Sequence, residues 1–256
     1  MTQRARAVSR YFDEVAATYA ARYADRGPAG HALAVRWQRL FELLGAVEGP
    51  ALDAGCGPGL LLAALGERGI AAVGVDLSAR MATEAARRAP AVVGTLDHLP
   101  FKGNAFGIVI AMGAVEYVDD DQAALAELTR VLRPDGVLLA SFPNRFSPYR
   151  IWKNAVFYPV VDRLRPLVSR LRGRPVPASV TAYHHHYTVR EVQARLQALG
   201  CLVEDVVSLN MQLVPSPLDE WLPWLSVALS RRLERFGRAP IGRLGTAFLV
   251  RAVKRR

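Results

Sequence analysis

The residues with the most chemical content form the octet Leu52-Asp53-Ala54-Gly55-Cys56-Gly57-Pro58-Gly59. An apolar run carries an acid, turns on three glycines and opens directly into a helical pattern at Leu60. Glycines at such a turn let the backbone approach a ligand closely and adopt φ angles that other residues resist. The following helix start directs free N–H groups into the crevice at the carboxyl end of a sheet. The spacing is Gly-x-Gly-x-Gly with an acid two residues ahead, whereas dinucleotide-binding turns use Gly-x-Gly-x-x-Gly. The next apolar run, Ala72-Val73-Gly74-Val75-Asp76, ends in a second acid about twenty residues on, placed to accept hydrogen bonds from both hydroxyls of a ribose. A nucleoside-bearing ligand is the chemistry this pair of acids fits.

The elements that must position these residues follow from periodicity. Tyr11, Val15, Tyr19 and Tyr23 recur at helical spacing within 8–24, and a second helix runs from Ala32 to Leu44 and stops at Gly45. Short apolar runs then alternate with helical ones. Strands are predicted at Ala51–Ala54, Ala71–Val75, Ala91–Gly94, Ile108–Met112 and Val137–Phe142, with helices near Leu60–Glu67, Ala79–Arg88 and Asp121–Leu132. That alternation implies an α/β fold with a mostly parallel sheet and helices on both faces. Residues 143–187, rich in Pro, Arg and aromatics, interrupt the rhythm and read as an insertion. It resumes with a helix at Val189–Leu199 and strands at Leu202–Leu209 and Gly245–Val253, separated by an amphipathic segment at 217–237.

These residues resemble the class I S-adenosylmethionine (SAM)-dependent methyltransferases, in particular the group that includes quinone-biosynthesis enzymes. The resemblance also takes in Tyr11-Phe12-Asp13 through Tyr19 and Tyr23, then Leu99-Pro100-Phe101, and Leu132-Arg133-Pro134-Asp135-Gly136. It implies a Rossmann-like, seven-stranded sheet whose last strand is antiparallel. A helical cover over 1–46 would precede a SAM-binding core over 47–142, with insertions at 143–187 and 211–243 as lids, all in one domain. It also implies the cofactor contacts. Asp53, Gly55, Cys56, Gly57 and Gly59 would line the methionine part of SAM, Asp76 and Leu77 the ribose, and Leu96, Asp97 and Met112 the rest of the crevice. Tyr11 or Tyr19 would reach over from the cover. Two departures stand out. Thr95 occupies the position after Gly94 where relatives carry an acid for the adenine amino group, leaving that contact to Asp97 or to the backbone of Leu96 and Asp97. Phe106-Gly107 replaces their Phe-Asp.

SAM carries its own activation on a sulfonium, so the protein mainly aligns the acceptor and excludes water. A general base helps when the acceptor is a hydroxyl. His184, His185 and His186, in a region that borders the acceptor pocket in relatives, are candidates, as are Glu116 and Tyr117 after the fourth strand; His98 lies near the adenine edge. Structural hydrogen bonding is the competing reading for each. Adjacent side chains diverge, so the three histidines do not meet on one ion and no metal site is expected.

Composition narrows the acceptor. Of 256 residues 51% are hydrophobic and 22% charged, which suits a globular protein with a sizeable core. No apolar run reaches the length of a membrane span, the N-terminus lacks a signal-peptide pattern, and Cys56 and Cys201 fall in separate elements. The expectation is a cytoplasmic protein with possible contact to a membrane surface. The net charge of +10 is concentrated: residues 144–174 hold eight basic and one acidic residue, and 231–256 hold nine and one. Aromatics and arginines mix across Phe146–Val176, and Leu218, Trp221, Leu222, Leu225, Leu229, Leu233 and Phe236 form a stripe. Such stripes suit a membrane interface, a lid over a greasy pocket, or an ordinary helix packed on the sheet. All three are compatible with a small hydrophobic acceptor (a natural product, quinone or lipid-like molecule), methylated on oxygen before carbon. The alternatives are an RNA methyltransferase or a SAM-binding protein without methyl transfer. Met112-Gly113-Ala114-Val115 stands where base-amine methyltransferases carry their Asn/Asp-Pro-Pro-aromatic motif, so nucleic acid is disfavoured. The oligomeric state is left open.

Overall fold

A computed structural model describes residues 2–23, 25, 27–172, 185–239, 242 and 244–256. Seven strands, β1 (Ala51–Ala54), β2 (Ala72–Asp76), β3 (Ala91–Val93), β4 (Phe106–Met112), β5 (Leu132–Pro143), β6 (Cys201–Leu209) and β7 (Ala247–Lys254), make one sheet. Their order is β3-β2-β1-β4-β5-β7-β6, parallel from β3 to β5, with β7 antiparallel to both of its neighbours. Order reverses beside β1, and the crevice opens there at the strands' carboxyl ends.

Period-two alternation decides which helix packs on which face. Val109 and Ala111 of β4 and Leu138 and Ala140 of β5 share a core with α5 (Asp121–Val131) and α8 (Val189–Ala198). Ile108, Ile110, Val137 and Leu139 face the other way, onto α2 (Pro28–Leu44) and α3 (Leu60–Gly66). Both sheet faces are therefore covered, and the central strands read as continuous apolar runs for that reason.

Helix ends follow local chemistry. Thr2 caps α1 (Gln3–Tyr19) by accepting the Ala5 N–H, and Pro28 opens α2, so both begin earlier than their apolar periodicity predicts. Ser78 caps α4 (Ala79–Ala85), and Thr188 with Glu191 forms a reciprocal capping box on α8. β4 and β5 also start earlier than predicted, pairing Phe106 with Leu132. Gly107 is required there: a Cβ would lie 2.0 Å from the Glu48 carbonyl oxygen, so an acid such as relatives carry does not fit.

The excursion after β5 leaves and returns at one point, where Asn144 bridges Tyr187 and the Tyr187 N–H donates to the Pro143 carbonyl at 2.9 Å. It contains α6 (Pro148–Trp152), a π turn over Lys153–Phe157, and α7 (Tyr158–Arg172); His184 and its preceding stretch lie outside the described residues. The segment expected as one stripe at 217–237 is broken at Pro223 into α9 (Leu218–Trp221) and α10 (Pro223–Glu234). Among the described residues no helix is long and apolar enough to cross a membrane.

Candidate active site

The crevice is built first by the turn after β1. The N–H groups of Gly55 and Cys56 donate to the Val75 carbonyl at 2.7 and 3.1 Å, tying the turn to the end of β2. Gly55 (φ +81°) cannot carry a side chain, because a Cβ would meet the Ala114 methyl at 2.4 Å. Gly57 (φ +53°) has nothing within 4 Å of a Cβ, and its bare backbone lines the crevice. Gly59 is not among the lining residues. Its Cβ would strike the Ala85 backbone at 2.7 Å, so its lack of a side chain lets α3 pack on α4.

Two carboxylates stand at the strand ends. Asp76 accepts the Gly57 N–H through Oδ2 and the Ser78 N–H through Oδ1, each at 2.8 Å, which fixes its plane and leaves lone pairs toward the crevice. Asp53 is 2% exposed, and its carboxyl, unlike its backbone, makes no hydrogen bond to a described residue. Burial, aided by Asp76, pushes its carboxyl up to about 7. A buried carboxylate facing a crevice without a partner is a receptor for a cation.

The cover comes from the N-terminal helices. Asp13 of α1 accepts the Ser78 hydroxyl at 2.5 Å and the Arg80 N–H at 3.2 Å, docking the helix over the end of β2. Phe12, Tyr19 and Tyr23 line the crevice, and Tyr23 lies 5.3 Å from Trp37, ring centre to ring centre. Tyr11 packs edge-on against Phe12 and stands outside the lining. Leu33, Arg36 and Trp37 complete the wall from α2. The guanidinium of Arg36 approaches Gly113, where a Cβ would meet Nη1 at 2.7 Å.

On the far side stand Met112, Ala114, Glu116, Tyr117 and Arg150. Glu116 is 5% exposed, its Oε2 has no hydrogen-bond partner, and burial holds its carboxyl above the usual range against the pull of Arg36 and Arg150. Its carbonyl accepts the His185 N–H at 3.0 Å and the Arg4 side chain at 3.3 Å, so α1 and the returning excursion both fix this turn. The Tyr117 ring meets Phe12 at 5.2 Å. Thr95, Leu96 and Asp97 line the opposite end.

The crevice thus gathers Tyr19, Asp53, Gly55, Cys56, Gly57, Asp76, Leu77, Leu96, Asp97, Met112, Glu116 and Tyr117. The described histidines lie outside its lining. His185 stacks on Tyr187 and turns toward Asp121, 3.9 Å from its carboxylate. His186 accepts from Arg150 at 3.3 Å, and burial with that neighbouring cation lowers its pKa, so it is a neutral prop for Arg150. His98 is exposed on the rim. None of the described residues of 211–243 lines the crevice; α10 is held by Ser230 and Glu234, bonded to the Met211 backbone.

Residues 52–140 match the family model described as a methyltransferase domain. An uncharacterized protein of Methanocaldococcus jannaschii is 29% identical over 67% of this chain and 68% of its own length. The malonyl-[acyl-carrier protein] O-methyltransferase of Enterobacter lignolyticus is 40% identical over 34% of this chain and 36% of its own length. The demethylmenaquinone methyltransferase of Renibacterium salmoninarum is 34% identical over 45% and 52%. A Thermotoga maritima SAM-dependent methyltransferase, described as a possible histamine N-methyltransferase, superposes with a TM-score of 0.62 at 20% identity, covering 96% of this chain and 99% of that one. Residues 52–140 are thus similar to a methyltransferase domain, and the chain as a whole shares the fold of SAM-dependent methyltransferases.

It spans between 36% and 68% of the lengths of the three curated relatives named. The motif reading gave no contact to Phe12, Arg36, Trp37 or Arg150, all of which line the crevice. A signal existed for two of them. Leu33, Arg36 and Trp37 fall at i, i+3 and i+4 on a predicted helix, a mixed cationic and aromatic face that an ordinary core helix does not need. Arg150 had none, because its aim depends on where the excursion closes.

Proposed function

We propose that this chain transfers a methyl group from SAM to a small hydrophobic acceptor, with oxygen the favoured accepting atom. The observation that carries the reading is the buried Glu116 carboxylate, whose Oε2 has no hydrogen-bond partner, in the wall that also holds Tyr117 and Arg150. The residues fit SAM. Asp53 suits its ammonium group, Arg36 its carboxylate, Asp76 its ribose hydroxyls and Leu96 with Asp97 its adenine edge. When bound, SAM supplies an activated methyl on sulfur. The chain's own residues do the remainder. The cover of Phe12, Tyr19 and Trp37 excludes water, and Tyr117 with Arg150 orients the acceptor. Glu116, whose raised pKa makes it a stronger base than an exposed carboxylate, takes the acceptor's hydroxyl proton on Oε2. The O-methyltransferase and quinone-pathway relatives support a small acceptor.

Release of S-adenosylhomocysteine with a panel of phenols, quinols and apolar carboxylic acids tests this reading. We expect turnover with a hydroxyl-bearing apolar member, and a fall in kcat of about 10²–10⁴-fold in Glu116→Gln with SAM affinity retained. Wild-type kcat in that variant would remove Glu116 as base; turnover confined to RNA would overturn the acceptor class.

A further inference from the structure

Amphipathic helices of a globular protein turn their apolar side inward. Two segments here do the reverse. On α10 the buried positions are Ser226, Val227, Ser230 and Glu234, while Trp224 and Leu229 face solvent with Leu218, Trp221 and Leu222 of the preceding turn. Trp221 is 71% exposed and Trp224 69%. The orientation is fixed. The Ser230 hydroxyl donates to the Met211 carbonyl at 3.2 Å, Glu234 accepts the Met211 N–H at 2.8 Å, and Arg39 donates to the Glu234 carbonyl at 2.6 Å. Rolling the helix to bury Trp224 would break all three bonds.

The excursion after β5 repeats the pattern. Trp152, Val156, Val160 and Leu164 recur every four residues along α6, the π turn and α7, and all are exposed, as is Ile151. The two segments adjoin. The Trp152 indole N–H donates to the Ser216 carbonyl at 2.9 Å, and the Tyr149 hydroxyl to Asp219 at 2.7 Å. Exposed cations border the apolar face: Arg163 and Arg170 on α7, and Arg231, Arg232 and Arg235 at the end of α10, against the acids Asp162 and Glu220.

We propose that these two helical segments seat the protein on an anionic lipid bilayer, with Trp152, Trp221 and Trp224 in the headgroup layer and the bordering arginines on lipid phosphates. Tryptophan and arginine edging an apolar helical face match the composition of interfacial helices, which lie in the membrane plane and do not cross it. Each cation near an anionic leaflet adds attraction that salt screens. A second copy fits the surface less well, because a two-fold interface brings the same patch from each subunit together and sets arginine against arginine. The surface joins the crevice through α6, since Arg150 lines the crevice while Ile151 and Trp152 face outward.

Co-sedimentation of the full chain with vesicles tests the proposal without reference to methyl transfer, so the two readings fail separately. We expect binding to phosphatidylcholine–phosphatidylglycerol vesicles, weaker binding to phosphatidylcholine alone, and weakening by salt. Trp221→Ser with Trp224→Ser, both exposed, should cut vesicle affinity about tenfold or more with unchanged circular dichroism. Arg231→Gln with Arg232→Gln should reduce the preference for the anionic lipid. Wild-type protein left in the supernatant of both vesicle types overturns the proposal. So does a dimer in solution that the tryptophan variant dissociates, or labelled RNA bound through the arginines while vesicles are ignored.

Discussion

Asp53 and Asp76 show how two identical side chains acquire different work from their surroundings. Asp76 has two backbone donors that counter the cost of its burial, whereas Asp53 has none and rises to about 7. The sign of the resulting pH dependence follows directly. Below about 7 the empty protein holds Asp53 neutral, and a neutral carboxyl gains little from an ammonium group. Binding SAM must then expel a proton, so affinity should fall by up to about tenfold per pH unit as pH drops below that value, and level off above it. Calorimetry across the neutral range, with proton release followed in buffers of different ionisation heat, checks this. The Asp53→Asn variant should bind weakly and without the slope; a slope that survives in it would place the titrating group elsewhere. Both acids were legible in the sequence from their place at the ends of apolar runs. Their unequal pKa was not, because it depends on which backbone N–H groups the turn after β1 presents to each.

At the scale of elements, the glycines of one turn separate into ligand-facing and packing positions. Gly57 opens on the crevice, while Gly59 lies against Ala85. Gly57→Val should abolish SAM binding and leave most of the fold, since the branched side chain enters the cofactor's space. Gly59→Ala should instead cost stability, on the order of 2–4 kcal/mol from left-handed backbone strain and overpacking, with SAM affinity in the folded fraction nearly retained. Thermal unfolding measured beside SAM titration distinguishes the two; equal loss of affinity in both would mean that Gly59 also meets the cofactor. The sequence placed both glycines in the turn but could not say which way each faces. It read β1 and the bodies of β4 and β5 well because parallel strands buried on both faces leave unbroken apolar runs. It left 217–237 open between a membrane interface, a lid and a packed helix, because an apolar stripe specifies a face and not the surface that covers it. There the buried side carries Ser226, Ser230 and Glu234, the last two bonded to the Met211 backbone in a loop that no local pattern reveals.

Across the whole molecule, the crevice lies where strand order reverses, with an aromatic cover on one side and the basic, apolar helices of the two insertions reached through α6. The fold class followed from alternating elements and the resemblance to SAM-dependent methyltransferases from the two acids and their glycines, but the crevice's full wall needed the three-dimensional closure of α1, α2 and the excursion after β5. Everything proposed for the acceptor rests on SAM occupying that crevice with its ribose on Asp76. The most direct measurement is therefore calorimetric titration of SAM into the wild-type chain and into folded Asp76→Ala. The account predicts one molecule bound per chain, and a loss of at least about tenfold in the variant, since a carboxylate's hydrogen bonds to hydroxyls contribute about 1.5–3 kcal/mol. Affinity unchanged to within about twofold in the variant, or no binding to the wild type, would contradict it.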